Sequence, residues 1–222
     1  GKTTLLRDVV AARLVDCAIV LCRYKNPTDA FKPTRETFIR GGAKITLHQL
    51  DEQLKGFEMV VTSSNNKAVE NVSAELPDIQ AIAEDAPGLR YFKTISDNVL
   101  QRETWGLIAA VLGNSSNRYQ FYQNFWKDEE RGLSTYLNHA CGVPQYVSEP
   151  QGEGVPPKQR LRQIVDLENP PSNAREALAR WEKAQAAFMV AIRAFNERQF
   201  YLQKLYENLL LAPKLSAALV EA

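Results

Sequence analysis

Two short polar segments carry residue types that hold phosphate. Gly1-Lys2-Thr3 completes the pattern G-x-x-x-x-G-K-[ST]. In such a loop the N–H groups of the first helical turn face the β-phosphate, and the helix dipole favours the anion. Lys2 reaches the β and γ oxygens, and the Thr3 hydroxyl holds Mg²⁺. Gly1, Lys2, Thr3 and Thr4 are therefore candidate contacts for ATP, with Thr3 the candidate for the metal. The competing reading of three such residues is a plain polar start to a helix.

The second segment is Thr62-Ser63-Ser64-Asn65-Asn66, which follows the apolar, β-branched run Phe57-Glu58-Met59-Val60-Val61. Hydroxyls and amides at the carboxyl end of a strand bind a sugar-phosphate backbone through neutral hydrogen bonds, helped by the free N–H groups of the next helix. A helix cap needs one such residue, and here there are five in succession. Thr62, Ser63, Ser64, Asn65 and Asn66 are accordingly candidate contacts for single-stranded nucleic acid.

Other chemistry-bearing residues read as structural. His48 and His139 stand apart from Cys, Asp or Glu at ligand spacing, and Cys141 has no nearby His to activate it. Cys17, Cys22 and Cys141 are odd in number and match no paired metal spacing. Asp51-Glu52 and Asp128-Glu129-Glu130 follow no apolar strand, so they read as solvated surface rather than as a Mg²⁺-holding acidic pair. Tyr119, Phe121, Tyr122, Phe125 and Trp126 lie at helical spacing and read as core, with base stacking the lesser alternative. No residue is singled out as a catalytic acid, base or nucleophile.

The elements that position these residues follow from periodicity. Leu5, Leu6, Val9, Val10 and Leu14 predict a helix from the first residues to about Arg23. The stretch 25–42 reads as irregular, and 47–54 as a short helix. Phe57–Thr62 reads as a buried parallel strand and 68–76 as the helix after it, a strand–turn–helix unit of an α/β sheet. Tyr91–Ile95 reads as a further strand. Helices are expected at 105–112, 119–126 and 133–140, with a loop over 142–157. Asn173 and Glu176 form a capping box for a helix over 174–211, where apolar steps of three and four run from Leu178 to Leu209. That helix would extend roughly 55 Å at about 1.5 Å per residue. It needs a partner along its apolar seam, expected from a helix beyond Ala222.

Composition sets bounds. The 222 residues are 45% hydrophobic and carry 27 basic against 26 acidic side chains, a net charge of +1. A protein holding nucleic acid by bulk charge would be more basic, so any such contact would be local. No apolar run reaches the roughly 18 residues that suggest a membrane span, and the first residues do not form a secretory leader. Together with the cysteines, this gives an expectation of a soluble, cytoplasmic chain without a membrane partner.

Gly1-Lys2-Thr3-Thr4-Leu5-Leu6 and Val60-Val61-Thr62-Ser63-Ser64-Asn65-Asn66-Lys67-Ala68-Val69-Glu70-Asn71-Val72 resemble motifs I and Ia of superfamily 1 DNA/RNA helicases. The group resembled contains the nonsense-mediated-decay helicase and the replication nuclease-helicase. The likeness covers about residues 1–15 and 57–77. It implies a fragment of an ATP-dependent helicase or translocase that begins inside its phosphate loop. It further implies ATP and Mg²⁺ as cofactors, single-stranded DNA or RNA as partner, and Asn71 bracing the Ia turn. The expected fold is α/β: an incomplete RecA-like P-loop NTPase lobe with a parallel sheet over residues 1–100, then a large, mainly helical, partly coiled-coil insertion over 101–222. The parent would be an ATP hydrolase. Residues 1–222 alone, with half a phosphate cradle and no acidic motif after a strand, are expected to be inactive. Another P-loop ATPase and a non-catalytic helical interaction module are the alternatives.

Overall fold

The computed structural model describes residues 2–40, 42–83, 86, 88–152 and 156–220; for 2–4, 34–36, 38, 40, 43, 45, 66, 68 and 212–220 it describes the backbone alone. The chain divides into two compact units, one of residues 1–14 and 56–177, the other of 15–55 and 178–222. Helix α1, Lys2–Leu21, follows the predicted apolar spacing.

In the second unit, β1 (Phe31–Arg40) and β2 (Ala43–Leu50) form an antiparallel hairpin with Arg40 opposite Ala43. Two expectations are corrected here, the irregular 25–42 and the helix at 47–54. Leu47, Leu50 and Leu54 imitate helical spacing, but Ile45-Thr46-Leu47-His48 alternates at period two, and the sequence places two glycines between the paired segments. Gly42 has φ +80°, which glycine adopts at no steric cost. The register breaks between Phe31 and Arg35, where Pro33 has no N–H to give the ladder. Asp51 then caps a 3-10 turn, accepting a bond from Gln53 N at 2.9 Å.

The seam of the long helix α7 (Ala174–Val220) meets this unit near its start. Trp181 Nε1 donates to Tyr24 O at 3.2 Å, and Gln185 Nε2 donates to the same oxygen at 2.8 Å. The expected cap forms: Glu176 N donates to Asn173 Oδ1 at 2.9 Å, while the Glu176 carboxylate takes Ser172 N at 2.8 Å. Further along, Phe195, Phe200, Leu202 and Leu209 are exposed.

The first unit is built from α2 (Asn66–Glu75), α3 (Lys93–Leu100), α4 (Ser115–Tyr122), α5 (Leu133–Ala140), the hairpin of β3 (Tyr146–Glu149) and β4 (Lys158–Leu161), and α6 (Gln163–Glu168). Its core is Ile95, Ile164 and Val165, with Phe92, Val99, Leu107, Phe125, Leu133 and Tyr136 packed around them. Apolar burial of this kind contributes about 25 cal/mol per Å² removed from water.

A buried polar knot ties the connection after α3 to this core. Thr104 is fully buried and gives its N–H and hydroxyl to Asp97 Oδ1 at 2.7 and 2.8 Å. Lys93 Nζ donates to Asp97 Oδ2 at 2.9 Å and to Thr104 O at 2.7 Å. Tyr91 forms a lone bridge to Gly106, whose absent side chain leaves Tyr91 O only 3.0 Å from where a Cβ would stand.

The expected RecA-like lobe is corrected. Among the described residues there are seven α-helices and two antiparallel two-stranded sheets, and no parallel sheet. Phe57–Thr62, read as the buried strand, carries no ladder, and its Val60 is 88% exposed. Strand propensity records how side chains fit a pleated surface, whereas a strand also needs a neighbour to pair with. Tyr91–Ile95 enters α3 instead of forming a strand. Residues 105–112, read as helix, are not helical, because the run bonds back to Tyr91 through Trp105 O at 3.2 Å and Leu107 N at 2.8 Å. The loop 142–157 contains β3. No helix among the described residues is long and apolar enough to cross a membrane.

Candidate nucleic-acid interface

The Thr62–Asn66 turn starts α2 as a nested cap. Ser63 Oγ accepts Asn65 N at 3.1 Å, and Asn65 Oδ1 accepts Lys67 N at 3.0 Å. Asn65 has extended backbone, φ −109° and ψ 104°, as an N-cap residue requires. Two of the candidate contacts therefore spend an acceptor on the helix itself. Thr62 and Ser64 are exposed and make no such bond among the described residues. The side chain of Asn66 lies outside the described residues; its backbone opens α2.

Beside this turn lies a hollow of about 210 Å³, lined in part by Thr62, Ser63, Glu70, Asn114 and Asn117. Its far side is a second capped helix start that the sequence reading passed over. Asn114 has extended backbone and accepts Asn117 N at 2.8 Å, opening α4. The signal is in the sequence: Gly113-Asn114-Ser115-Ser116-Asn117 shares two serines and two asparagines with Thr62–Asn66. It was hidden between two stretches read as helix.

The turn before α2 and the start of α4 thus border one hollow, whose lining also includes Val61, Val69 and Val111. Helix starts of this kind carry the positive end of a dipole. Glu70 opposes a free anion there, which favours neutral contacts to a diester over capture of a multiply charged ion. Arg118 Nη1 is turned back onto Leu112 O at 3.1 Å.

Along α4 the aromatic cluster divides. Phe121 and Phe125 stack on each other with centroids 4.8 Å apart, and Phe125 packs on the core. Tyr119 and Tyr122 are exposed, and Lys127 Nζ stands 5.8 Å from the Tyr122 ring. The core reading holds for Phe121 and Phe125, while Tyr119, Tyr122 and Trp126 are exposed, and the outward tyrosines offer faces on which bases could stack.

The phosphate-loop candidates sit at the start of α1, with Lys2, Thr3 and Thr4 forming its first turn. Gly1 and the side chains of Lys2, Thr3 and Thr4 lie outside the described residues, as does the metal role of Thr3.

The acidic runs have structural partners. Glu52, exposed beside Asp51, pairs with Lys32 and with Lys55 at 2.8 Å. These two hydrogen bonds hold its carboxyl down, to about 2. The Asp128–Glu130 run is more than solvated surface. Asp128 Oδ1 accepts Glu130 N and Arg131 N at 2.9 and 2.8 Å, and Oδ2 accepts Asn98 Nδ2 at 3.2 Å. Glu130 takes both terminal nitrogens of Arg160, at 2.9 and 3.1 Å. The Arg160 bonds lower the Glu130 carboxyl; partial burial opposes them and the bond from Gln163 N adds to them.

Among the described residues no group of three or more His, Cys, Asp or Glu side chains is placed to hold a metal ion. His48 packs edge-on to Phe31, centroids 6.2 Å apart. Comparison of the chain with protein-family models, with curated proteins and with solved structures returns no match.

Proposed function

We propose that this chain contributes the single-strand contact of an ATP-driven, cytoplasmic nucleic-acid translocase, and that DNA or RNA meets it at the Thr62–Asn66 turn. The observation that carries this reading is the pairing of two Ser/Asn-capped helix starts around one hollow, at Thr62–Asn66 and at Asn114–Asn117. Phosphate oxygens take hydrogen bonds from hydroxyls, amides and N-terminal N–H groups without needing a cationic groove. The outward Tyr119 and Tyr122 on α4 add stacking surfaces beside it.

ATP–Mg²⁺ enters the proposal at the start of α1, through Lys2 and Thr3. That part stands on the sequence likeness to motif I. The reading does not extend to a RecA-like lobe, so it assigns nucleic-acid contact, not hydrolysis, to these residues.

Fluorescence anisotropy of a labelled single-stranded oligonucleotide tests it. Thr62 and Ser64 take no part in the cap, so Thr62→Val with Ser64→Ala leaves the fold intact and weakens binding about tenfold, the effect of losing one or two hydrogen bonds to a charged oxygen. Wild-type affinity in the double variant, or no binding by the wild-type chain, overturns the proposal. A blank result favours the second reading, a helical interaction module, which the exposed Phe200 and Leu209 of α7 support.

A further inference from the structure

We propose that a separate cleft of about 540 Å³ between α3 and α6 binds a small zwitterion, a free amino acid or short peptide. The volume lies within the range of small-ligand sites. The argument is one of charge pairing. Of the lining cations, Lys93 is matched by Asp97 at 2.9 Å and more loosely by Glu103 at 3.5 Å, and Arg90 by Glu168, just outside the lining, at 2.8 Å. Two lining groups are left over. Arg131 gives only its Nε to Gln163 Oε1, at 2.7 Å, and its terminal nitrogens meet no acceptor among the described residues. Asp166, exposed on α6, meets no donor among them.

One unmatched guanidinium and one unmatched carboxylate, in a lining whose other charged groups already have ion-pair partners, suit a ligand with one negative and one positive group. The fork of Arg131 fits a carboxylate through two parallel hydrogen bonds. Asp166 fits an ammonium, which has three donors and no acceptor. A phosphate dianion could take the Arg131 fork but would leave Asp166 opposed to it, whereas a zwitterion satisfies both groups. Leu167, exposed on the same wall, offers contact to an apolar side chain.

The test is isothermal titration of the chain with the twenty free amino acids, with leucyl-glycine and glycyl-leucine, and with inorganic phosphate. The proposal expects saturable binding by at least one amino acid or dipeptide. Its N-acetyl and its carboxamide derivatives should each bind at least about tenfold more weakly, as loss of a charge-assisted bond implies. Arg131→Gln, at an exposed side chain, should weaken the parent ligand by a similar factor while sparing the carboxamide. Asp166→Asn should do the converse, sparing the N-acetyl form. This double pattern separates lost contact from lost fold. Absence of saturation at 10 mM by every amino acid and dipeptide (roughly a −2.7 kcal/mol floor) overturns the proposal. So does equal binding of a blocked derivative, or binding of inorganic phosphate alone.

Discussion

Replacing Glu168 by alanine should destabilise the first unit by roughly 2–4 kcal/mol. Helix α3 begins without a local cap: Phe92, at its N-cap position, has φ 45° and makes no side-chain bond to the helix. The missing acceptor comes from 74 residues away, where Glu168 Oε1 accepts Thr94 N at 2.7 Å. Its side chain is only 8% exposed, so water does not replace it. Loss of a hydrogen bond to a charged acceptor contributes about 1.5–3 kcal/mol, and Thr94 N, in a buried residue, is left unsatisfied. The Arg90 pair at 2.8 Å adds less than about 1 kcal/mol, because the Arg90 side chain is 40% exposed and solvent screens it. Glu168→Gln keeps an oxygen for Thr94 N and loses only the charge, so about 1 kcal/mol is expected. Urea unfolding followed by fluorescence measures both variants. Trp105 and Trp126 report on this unit; a Trp181→Phe background removes the signal of the other. If Glu168→Ala stays within about 0.5 kcal/mol of wild type, or if glutamine is as damaging as alanine, the long-range cap is refuted.

Gly132→Ala should cost about 1–3 kcal/mol by overpacking. A Cβ there would stand 2.4 Å from Asp128 O and 2.9 Å from Trp126 O, and neither backbone oxygen is free to move; Gly113→Ala, with nothing within 4 Å, is the control that should be silent in the same unfolding assay. Glu130 titrates below its ordinary 4.5 in the folded chain, first because of Arg160. Stability from a depressed carboxyl is complete above the unfolded value and is lost as pH falls through the folded one. Glu130→Gln should therefore be clearly less stable than wild type at pH 7 and converge on it below pH 4.5, and a gap that stays constant with pH would count against the Arg160 bond as the cause. Salt tests the oligonucleotide contact. With Lys67 and Arg118 the cations nearest the two caps, the slope of log K against log salt should be no steeper than about −1.4, taking −0.7 per neutralised phosphate for a single strand. A slope near −4 would move binding to some other, cationic surface.

What the sequence disclosed was local, and what it concealed was pairing. Helix α1, α2, the cap at Asn173 and Glu176, and the long α7 were legible because each rests on spacing within one segment. The β1–β2 hairpin is hidden because Leu47, Leu50 and Leu54 stand at helical intervals, while the pairing of Phe31–Arg40 with Ala43–Leu50 is not a property of either segment alone. The run Phe57–Thr62 has every side chain a strand wants, yet its state depends on a partner that propensity does not supply. At the candidate interface, Thr62–Asn66 stands out by the density of hydroxyls and amides, whereas Asn114 does not, though its neighbourhood also holds two serines and two asparagines. The cleft of Arg131 and Asp166 was beyond reach of any motif. Its residues come from three stretches of chain, and its meaning lies in which charges are already matched.

That distinction between matched and unmatched charge also bears on the hollow beside the Thr62–Asn66 turn. A net charge of +1 offers no general attraction for a polyanion. The first unit keeps most cations near its core in internal pairs: Lys93 with Asp97, Arg160 with Glu130 and Glu149, Arg162 with Glu129. A strand that bound here would gain little from counterion release and much from geometry, since two helix starts fix where their N–H groups point. Such a contact holds a backbone without regard to its bases and lets go of it readily. On the proposed function, a protein that steps along a strand would need both properties.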